Sequence, residues 1–133
     1  MKKEKLLKFA NEELFVKGNM ESIAEIFSVA YVAHAGGKDY KGHEFLKRFT
    51  KLLRTSIPDV KVLKIECLNE TDRTITWQRT LSGTHKVNMV GIPPSGKKVK
   101  WREMVVSRFA DGKIIEEWVV SELLGELLLK VKK

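Results

Sequence analysis

The hydrophobic pattern of this chain changes its period at Ile57-Pro58-Asp59. Before this point, apolar residues recur at helical spacing with lysine and glutamate between them. After it, β-branched and aromatic residues dominate, and turn residues divide them into short runs. Proline disfavours helix in the residue before it, so a helix is predicted to end here. Helices followed by a run of strands predict an α+β fold.

Three N-terminal helices are predicted. The first covers residues 3–17, and the third extends from about Gly42 to Arg54. The apolar face of the second consists of Ile23, Ile26 and Phe27. Between the second and third helices, Tyr31-Val32-Ala33-His34 is predicted to be a short extended segment that leads into Gly36-Gly37.

The strands are predicted to form a curved antiparallel sheet. They cover Thr74 to Thr84, Val99 to Phe109 and Lys113 to about Ser121, and Asp111-Gly112 is a tight hairpin turn between the last two. Leu123 to Val131 is either a closing strand tail or a short helix. Three helices on one face of such a sheet would enclose a pocket, where small ligands often bind.

Length and composition predict a single domain over residues 1–133. The chain is 43% hydrophobic and 32% charged, as ordinary soluble proteins are. No apolar run approaches the length of a bilayer span, and the N-terminal segment has no apolar stretch typical of a signal peptide. We therefore expect a cytoplasmic protein with no membrane partner. The single cysteine, Cys67, excludes an internal disulfide and a cysteine-based zinc site.

The formal charge of +8 raises the possibility of a nucleic-acid partner. The lysines are scattered along the chain, however, and cluster only at the two termini and at Lys97-Lys98-Lys100. No arginine-rich run with interleaved aromatics is present. The sequence therefore predicts a solvated surface rich in lysine and glutamate, and no nucleic-acid partner.

The strand from Lys113 to Glu122 has two apolar faces. If its side chains alternate, Glu116, Trp118 and Glu122 share one face. With that face inward, desolvation would raise the carboxyl pKa values towards those useful in general acid/base catalysis. Alternatively, Glu122 lies in water at the strand end. One apolar face meets the helices and the other would meet a second subunit, so we expect a homodimer.

Two neighbouring strands offer further polar candidates. Trp101 and Glu103 share a face, and either both line the pocket, or Trp101 is core and Glu103 pairs with a cation. Gln78 and Arg79 have opposite parity, so only one can face the cavity.

His34 and His85 can exchange protons near neutral pH or orient a carbonyl, or each is a structural histidine. The chain has no phosphate-binding glycine loop, no dinucleotide fingerprint, no Glu/His pair at the helix spacing of a metal site, and no nucleophile motif.

Several motifs in this order resemble the SnoaL-like polyketide cyclases, also called ester cyclases. The motifs are Phe15 through Asn19, Tyr31-Val32-Ala33-His34, Ile57-Pro58-Asp59, Gly83-Thr84-His85, Gly91-Ile92-Pro93-Pro94-Ser95-Gly96-Lys97 and Arg108 through Trp118. The resemblance spans nearly the whole chain. It implies the nuclear-transport-factor-two-like fold, a cone-shaped α+β barrel with a deep pocket.

The resemblance also implies a cofactor-free intramolecular aldol closure on a hydrophobic carbonyl compound. In the family, a pocket aspartate four residues after a tryptophan and three before a glycine is the general acid/base. Trp118 and Gly125 place Glu122 at that position, so the carboxyl is retained on a longer side chain. His85, helped by His34, would stabilise the enolate oxygen.

Substrate-binding roles are expected for residues on these strand faces and in the family motifs. The expected set is Tyr31, Gln78, Arg79, Trp101, Glu103, Glu116 and Trp118. No metal ligand is expected. The family's glutamate-histidine pair before the tryptophan is Glu116-Glu117 here, and its strand arginine upstream of Gly83 corresponds to Gln78, with Arg79 out of phase. The alternatives to an enzyme are a pocket that binds an apolar ligand without chemistry, and a dimerisation module.

Overall fold

The computed structural model describes residues 2–131 and contains a six-stranded open sheet with helices packed against it. The helices are α1 (Lys3–Asn11), which continues as a π-helical turn (Glu12–Val16), α2 (Ile23–Ile26) after a 3₁₀ turn (Met20–Ser22), α3 (Gly42–Ser56) and α4 (Leu123–Lys130). The strands are β1 (Phe27–Ala35), β2 (Lys38–Lys41), β3 (Lys61–Glu70), β4 (Thr74–Thr84), β5 (Lys98–Ala110) and β6 (Lys113–Ser121). None of the helices within residues 2–131 combines the length and apolar character needed to cross a bilayer.

The strand order is β2-β1-β6-β5-β4-β3, so β2 and β3 form the two edges. Four of the neighbouring pairs are antiparallel, and β1 pairs with β6 in parallel. The predicted α+β fold is confirmed, and the strands after Pro58 pair antiparallel as predicted; the one parallel pair involves β1, which the sequence predicted only as a short extended segment. Antiparallel neighbours can be joined by a tight turn, but β1 and β6 are far apart in the chain and can pair in either direction.

Most predicted elements lie where the sequence places them, and the second helix is the main exception. α2 is only one turn long, because β1 begins at Phe27 and pairs with both β2 and β6. Gly36 and Gly37 form the turn from β1 to β2 with φ values of 59° and 77°, which a type I′ hairpin requires. Of the two options for the C-terminal segment, the short helix is correct.

The inner face of the sheet packs on α1 and α3. Trp77 and Leu81 of β4 and Trp101 and Val105 of β5 are almost completely buried there. Full burial of such side chains stabilises a fold by about 1.5–3 kcal/mol each. Two open depressions, of about 430 and 490 Å³, lie instead at the outer face of β3, β4 and β5. A pocket between the helices and the sheet therefore stays a prediction.

Candidate functional site

A β-bulge at Ile115 decides which carboxyl groups of β6 face the helices. Arg108 of β5 pairs with Glu116, but the next residue of β5, Phe109, pairs with Ile114. The extra residue shifts the alternation of side chains, so Ile114 and Glu117 both point inward. Strict alternation put Glu116 and Trp118 on the face taken as inward, and that position was wrong because of the bulge.

Glu117 is consequently the carboxyl of β6 that enters the interior. Its Oε1 accepts a hydrogen bond from the Tyr31 hydroxyl at 2.8 Å, and its Oε2 accepts one from the Ser107 hydroxyl. Ser107 Oγ in turn accepts the indole N–H of Trp77 at 2.9 Å. Desolvation raises the pKa of Glu117, although the Ser107 and Tyr31 hydrogen bonds and the Arg79 charge oppose the shift. A carboxyl of this kind can exchange a proton closer to neutral pH.

A second carboxyl, Glu103 of β5, forms a buried ion pair with Arg79 of β4. The Nε and Nη2 atoms of Arg79 lie 2.7 and 2.6 Å from Oε1 of Glu103. The Oε2 atom accepts the Ser121 hydroxyl at 2.6 Å and the Trp101 indole N–H at 3.3 Å. Glu103 thus pairs with a cation, which is one of the two alternatives that the sequence left open. Removing either partner of such a buried pair typically costs about 3–5 kcal/mol.

The N-terminal helix completes the surroundings of Arg79. Asn11, the last residue of α1, accepts a hydrogen bond from Arg79 Nη1 at 2.9 Å and donates one to the carbonyl of Leu7 at 2.8 Å. Phe15, in the π-helical turn, lies 4.6 Å beneath the guanidinium, and the Trp77 ring lies 5.2 Å from it. Such short π-helical segments occur frequently at functional sites.

Gln78 points the other way, as opposite parity requires. It donates to Glu66 at 3.4 Å, and it lines a depression on the outer face. Of the two residues between which the sequence left the choice open, Arg79 therefore faces inward and Gln78 faces outward.

Glu122 does not enter the interior. β6 ends at Ser121, and Glu122 immediately precedes α4, where its half-exposed carboxylate accepts hydrogen bonds from Arg102 Nε at 3.2 Å and Nη2 at 3.4 Å. The Arg102 side chain lowers the pKa of Glu122. The raised pKa expected for Glu122 on an inward strand face was wrong, because the chain leaves the sheet before this residue.

His34 also lies on the outer face. Its ring nitrogens are each 2.6 Å from a carboxylate, Nδ1 from Asp39 and Nε2 from Glu116, and the ring stacks on Trp118 with centroids 5.2 Å apart. Hydrogen bonds raise the pKa of His34, and the one to Glu116 contributes more than the one to Asp39. The Arg108 guanidinium holds Glu116 from the other side at 2.7 Å.

His85 lies just beyond β4 and is completely buried. Neither ring nitrogen has a hydrogen-bond partner among residues 2–131. Two strands, β6 and β5, separate β1 from β4. At about 4.8 Å per strand, His34 and His85 belong to parts of the sheet about 14 Å apart. The predicted cooperation of these two histidines at one enolate was wrong.

The interior cluster therefore consists of two carboxyl groups, Glu117 and Glu103, each held by its own hydrogen bonds. Of the expected substrate-binding set, Tyr31, Arg79, Trp101 and Glu103 face inward. Sequence reasoning missed Asn11, Ser107, Glu117 and Ser121 as members. A signal existed for Ser107, which shares its strand face with Trp101 and Glu103.

A family model described as SnoaL-like polyketide cyclase matches residues 5–128, nearly the whole chain. The chain belongs to the SnoaL-like polyketide cyclase family. A sequence search of curated proteins gives no match to this SnoaL-like chain.

Solved structures support the same fold. IdmH from Streptomyces antibioticus superposes with a TM-score of 0.80 at 20% identity, covering 96% of both chains. A SnoaL-like polyketide cyclase from Agrobacterium tumefaciens gives 0.74 at 16% identity, covering 91% of both chains. An NTF2-like protein from Anabaena variabilis gives 0.72 at 14% identity, covering 89% of this chain and 84% of that one. At these identities the likeness concerns the fold.

Proposed function

We propose that this SnoaL-like protein is a cofactor-free enzyme of cyclase or isomerase type, which acts on a hydrophobic carbonyl compound with Glu117 as general acid/base. The observation that carries the proposal is the Glu117 carboxyl, held between the Tyr31 and Ser107 hydroxyls with a pKa raised by desolvation. Family membership supports the class of reaction. Glu117 replaces Glu122 as the candidate base, since Glu122 is exposed and its pKa is lowered.

In the proposed reaction, the Glu117 carboxylate removes a proton from the carbon next to a substrate carbonyl. The C–H electron pair moves to the carbonyl oxygen and forms an enolate. The Tyr31 hydroxyl is the donor that can stabilise this oxyanion, and the fixed positive charge of Arg79 lowers its energy further. In an aldol closure, the enolate carbon attacks a second carbonyl of the same molecule, and Glu117 returns the proton to the resulting alkoxide.

The proposed substrate binds between the sheet and the N-terminal helices. The aromatic side chains of Phe15, Trp77 and Trp101 surround the polar cluster and would contact an apolar molecule. Phe15, Trp77 and Trp101 are buried, so a substrate would reach them only after the helical layer moves away from the sheet.

The proposal is tested by exchange of α-protons in deuterium oxide, with 2-tetralone as an apolar ketone probe. The wild-type protein should accelerate exchange, and Glu117→Gln should lower the rate by about 10²–10⁴, the usual contribution of a general base. Glu122→Gln is the matched control and should stay within about twofold of wild type, because the exposed pair that it breaks is weakly coupled to the interior. A folded Glu117→Gln protein with wild-type exchange would refute the assignment.

A non-catalytic dimerisation or ligand-binding module is the second candidate. Two observations favour it: the exposure of Glu122, and an apolar stripe of Met104, Trp118 and Val120 on the outer face of β5 and β6. We propose that a second copy covers this stripe. Light scattering at micromolar concentration should then give a dimer, and Val120→Lys should give a monomer. A wild-type monomer would contradict the dimer, and a dimer without exchange activity would favour the module over the enzyme.

A further inference from the structure

Lysines that are distant in sequence gather around one depression on the outer face of the sheet. The depression has a volume of about 490 Å³ and lies where β3, β4 and β5 meet α4. Four lysines surround it, with a single acidic side chain, Glu126, and with Ser82, Leu63 and Val99 between them. The lysines are Lys61 of β3, Lys98 and Lys100 of β5, and Lys130 of α4.

The strand register places a serine between two of these lysines. Ser82 pairs with Lys61 on one side and with Lys100 on the other, so the three residues form one row across the strands. Neighbouring strands lie about 4.8 Å apart, which lets both ammonium groups reach a ligand above the serine. A hydroxyl flanked by two cations supplies the donors that a phosphate or another tetrahedral oxyanion accepts.

Protection of a sheet edge accounts for Lys61 on the edge strand β3, but not for its clustering with Lys130 of the helix α4. Lysines are common on edge strands, where they prevent association of strands, and Lys38 and Lys41 of β2 fit that role. β6 ends opposite Glu103, so the part of β5 that carries Lys98 and Lys100 pairs with β4 alone among the strands, and α4 contacts β5. Lys98 and Lys100 are two residues apart on one face of β5, and their like charges repel each other.

The charge of the four lysines is also not compensated by carboxylates within residues 2–131. The ion pairs found there involve none of Lys61, Lys98, Lys100 and Lys130. The neighbouring cations Lys64 and Arg102, in contrast, pair with Glu66 and Glu122. Against the single Glu126, the depression therefore keeps an excess of positive charge that an anionic ligand would balance.

We propose that this depression binds the phosphate group of a soluble organic phosphate. The lysines and the Ser82 hydroxyl would hold the phosphate, and the exposed Leu63 side chain would contact the organic part. A volume of about 490 Å³ is in the usual range for small-molecule sites, and the concave shape suits a small ligand better than a flat lipid surface. The site lies on the face opposite to Glu117, so it is independent of the proposed catalysis.

The test is a titration of ¹⁵N-labelled protein with adenosine monophosphate at physiological salt. Saturable shifts are expected in the amides of β3, β4 and β5 around Ser82. The double variant Lys61→Gln/Lys100→Gln should weaken binding by about tenfold or more, because each lost ammonium contacts the phosphate directly. The control Lys38→Gln/Lys41→Gln removes the same charge from β2 and should change the affinity by less than about twofold.

Three results would overturn the proposal. The first is the absence of saturable shifts around Ser82. The second is equal weakening in both double variants, which would indicate general attraction by the net charge. The third is binding to phosphatidic acid vesicles with none to adenosine monophosphate, which would assign the surface to a lipid headgroup. Ser82→Ala, which leaves the charge unchanged, should weaken binding severalfold and separates hydrogen bonding from charge.

Discussion

The Tyr31→Phe substitution tests how the interior sets the proton affinity of Glu117. It removes the hydroxyl that donates to Glu117 Oε1 at 2.8 Å and keeps the ring in place. A hydrogen bond contributes about 1.5–3 kcal/mol when its acceptor is charged and about 0.5–1.5 kcal/mol when it is neutral. The ionised form therefore loses about 1–1.5 kcal/mol more, which should raise the pKa of Glu117 by about one unit.

Titration of ¹³C-labelled glutamate carboxyl groups by NMR measures this pKa directly, and the free energy of unfolding supplies a second readout. Burial places the folded pKa of Glu117 above its unfolded value. The native state therefore binds more protons between these two pKa values, and stability falls as pH rises through this window. Tyr31→Phe extends the window upward. The variant should be less stable than wild type, and this deficit should depend on pH. It should be about 1–1.5 kcal/mol larger above the folded Glu117 pKa of both proteins than at a pH where Glu117 is protonated in the folded and the unfolded protein.

Tyr40→Phe is the matched control. Tyr40 lies on β2 and stacks on Phe45 with centroids 4.7 Å apart, away from Glu117. The titration of Glu117 should be the same in this variant as in wild type. An unchanged or lowered Glu117 pKa in Tyr31→Phe would refute the reasoning that the Tyr31 hydroxyl stabilises the ionised carboxylate.

Three further outcomes are expected. Gly83→Ala should destabilise the fold by about 1–3 kcal/mol in denaturant unfolding, because a Cβ there would collide with Ile57, whereas Gly125→Ala in α4 meets no neighbour and should stabilise it by up to about 1 kcal/mol. Histidine NMR should show that His34 titrates above its ordinary pKa. The stabilising contribution of His34 should be complete below its unfolded pKa and should disappear as pH rises through its folded pKa. Stability that is independent of pH across this range would contradict the two carboxylate contacts of His34. Trp77→Phe should lose about 1–3 kcal/mol by leaving a buried serine hydroxyl without its donor, and a melting curve like that of wild type would argue against this hydrogen bond.

The regular elements could be predicted because their signals are local. β4 has the predicted bounds, Thr74 to Thr84, since an unbroken run of β-forming residues needs no distant partner to be recognised. The turn at Asp111-Gly112 was equally predictable. Both residues have positive φ values, 52° and 74°, and this pair of residue types tolerates that conformation.

The composition of the interior site was only partly predictable, because one bulged residue changes it. Ile114 and Ile115 are chemically identical, and nothing in the local sequence says which of them is the extra residue opposite β5. Strict alternation therefore selected Glu116 for the interior, although Glu117 is the residue there. Sequence reasoning did recognise the inward face of β5, where alternation continues without interruption through Trp101, Glu103 and Ser107.

The sequence by itself determined the α+β class, the order of most elements and the family, because periodicity, turn chemistry and motif spacing are properties of the chain. The tertiary structure alone decided which charges meet. It paired Arg79 with Glu103 inside, placed Glu122 in water, and brought lysines scattered over 70 positions, from Lys61 to Lys130, around one depression. Strand register, the bulge and the packing of α4 fix these neighbours, and each depends on contacts between distant parts of the chain.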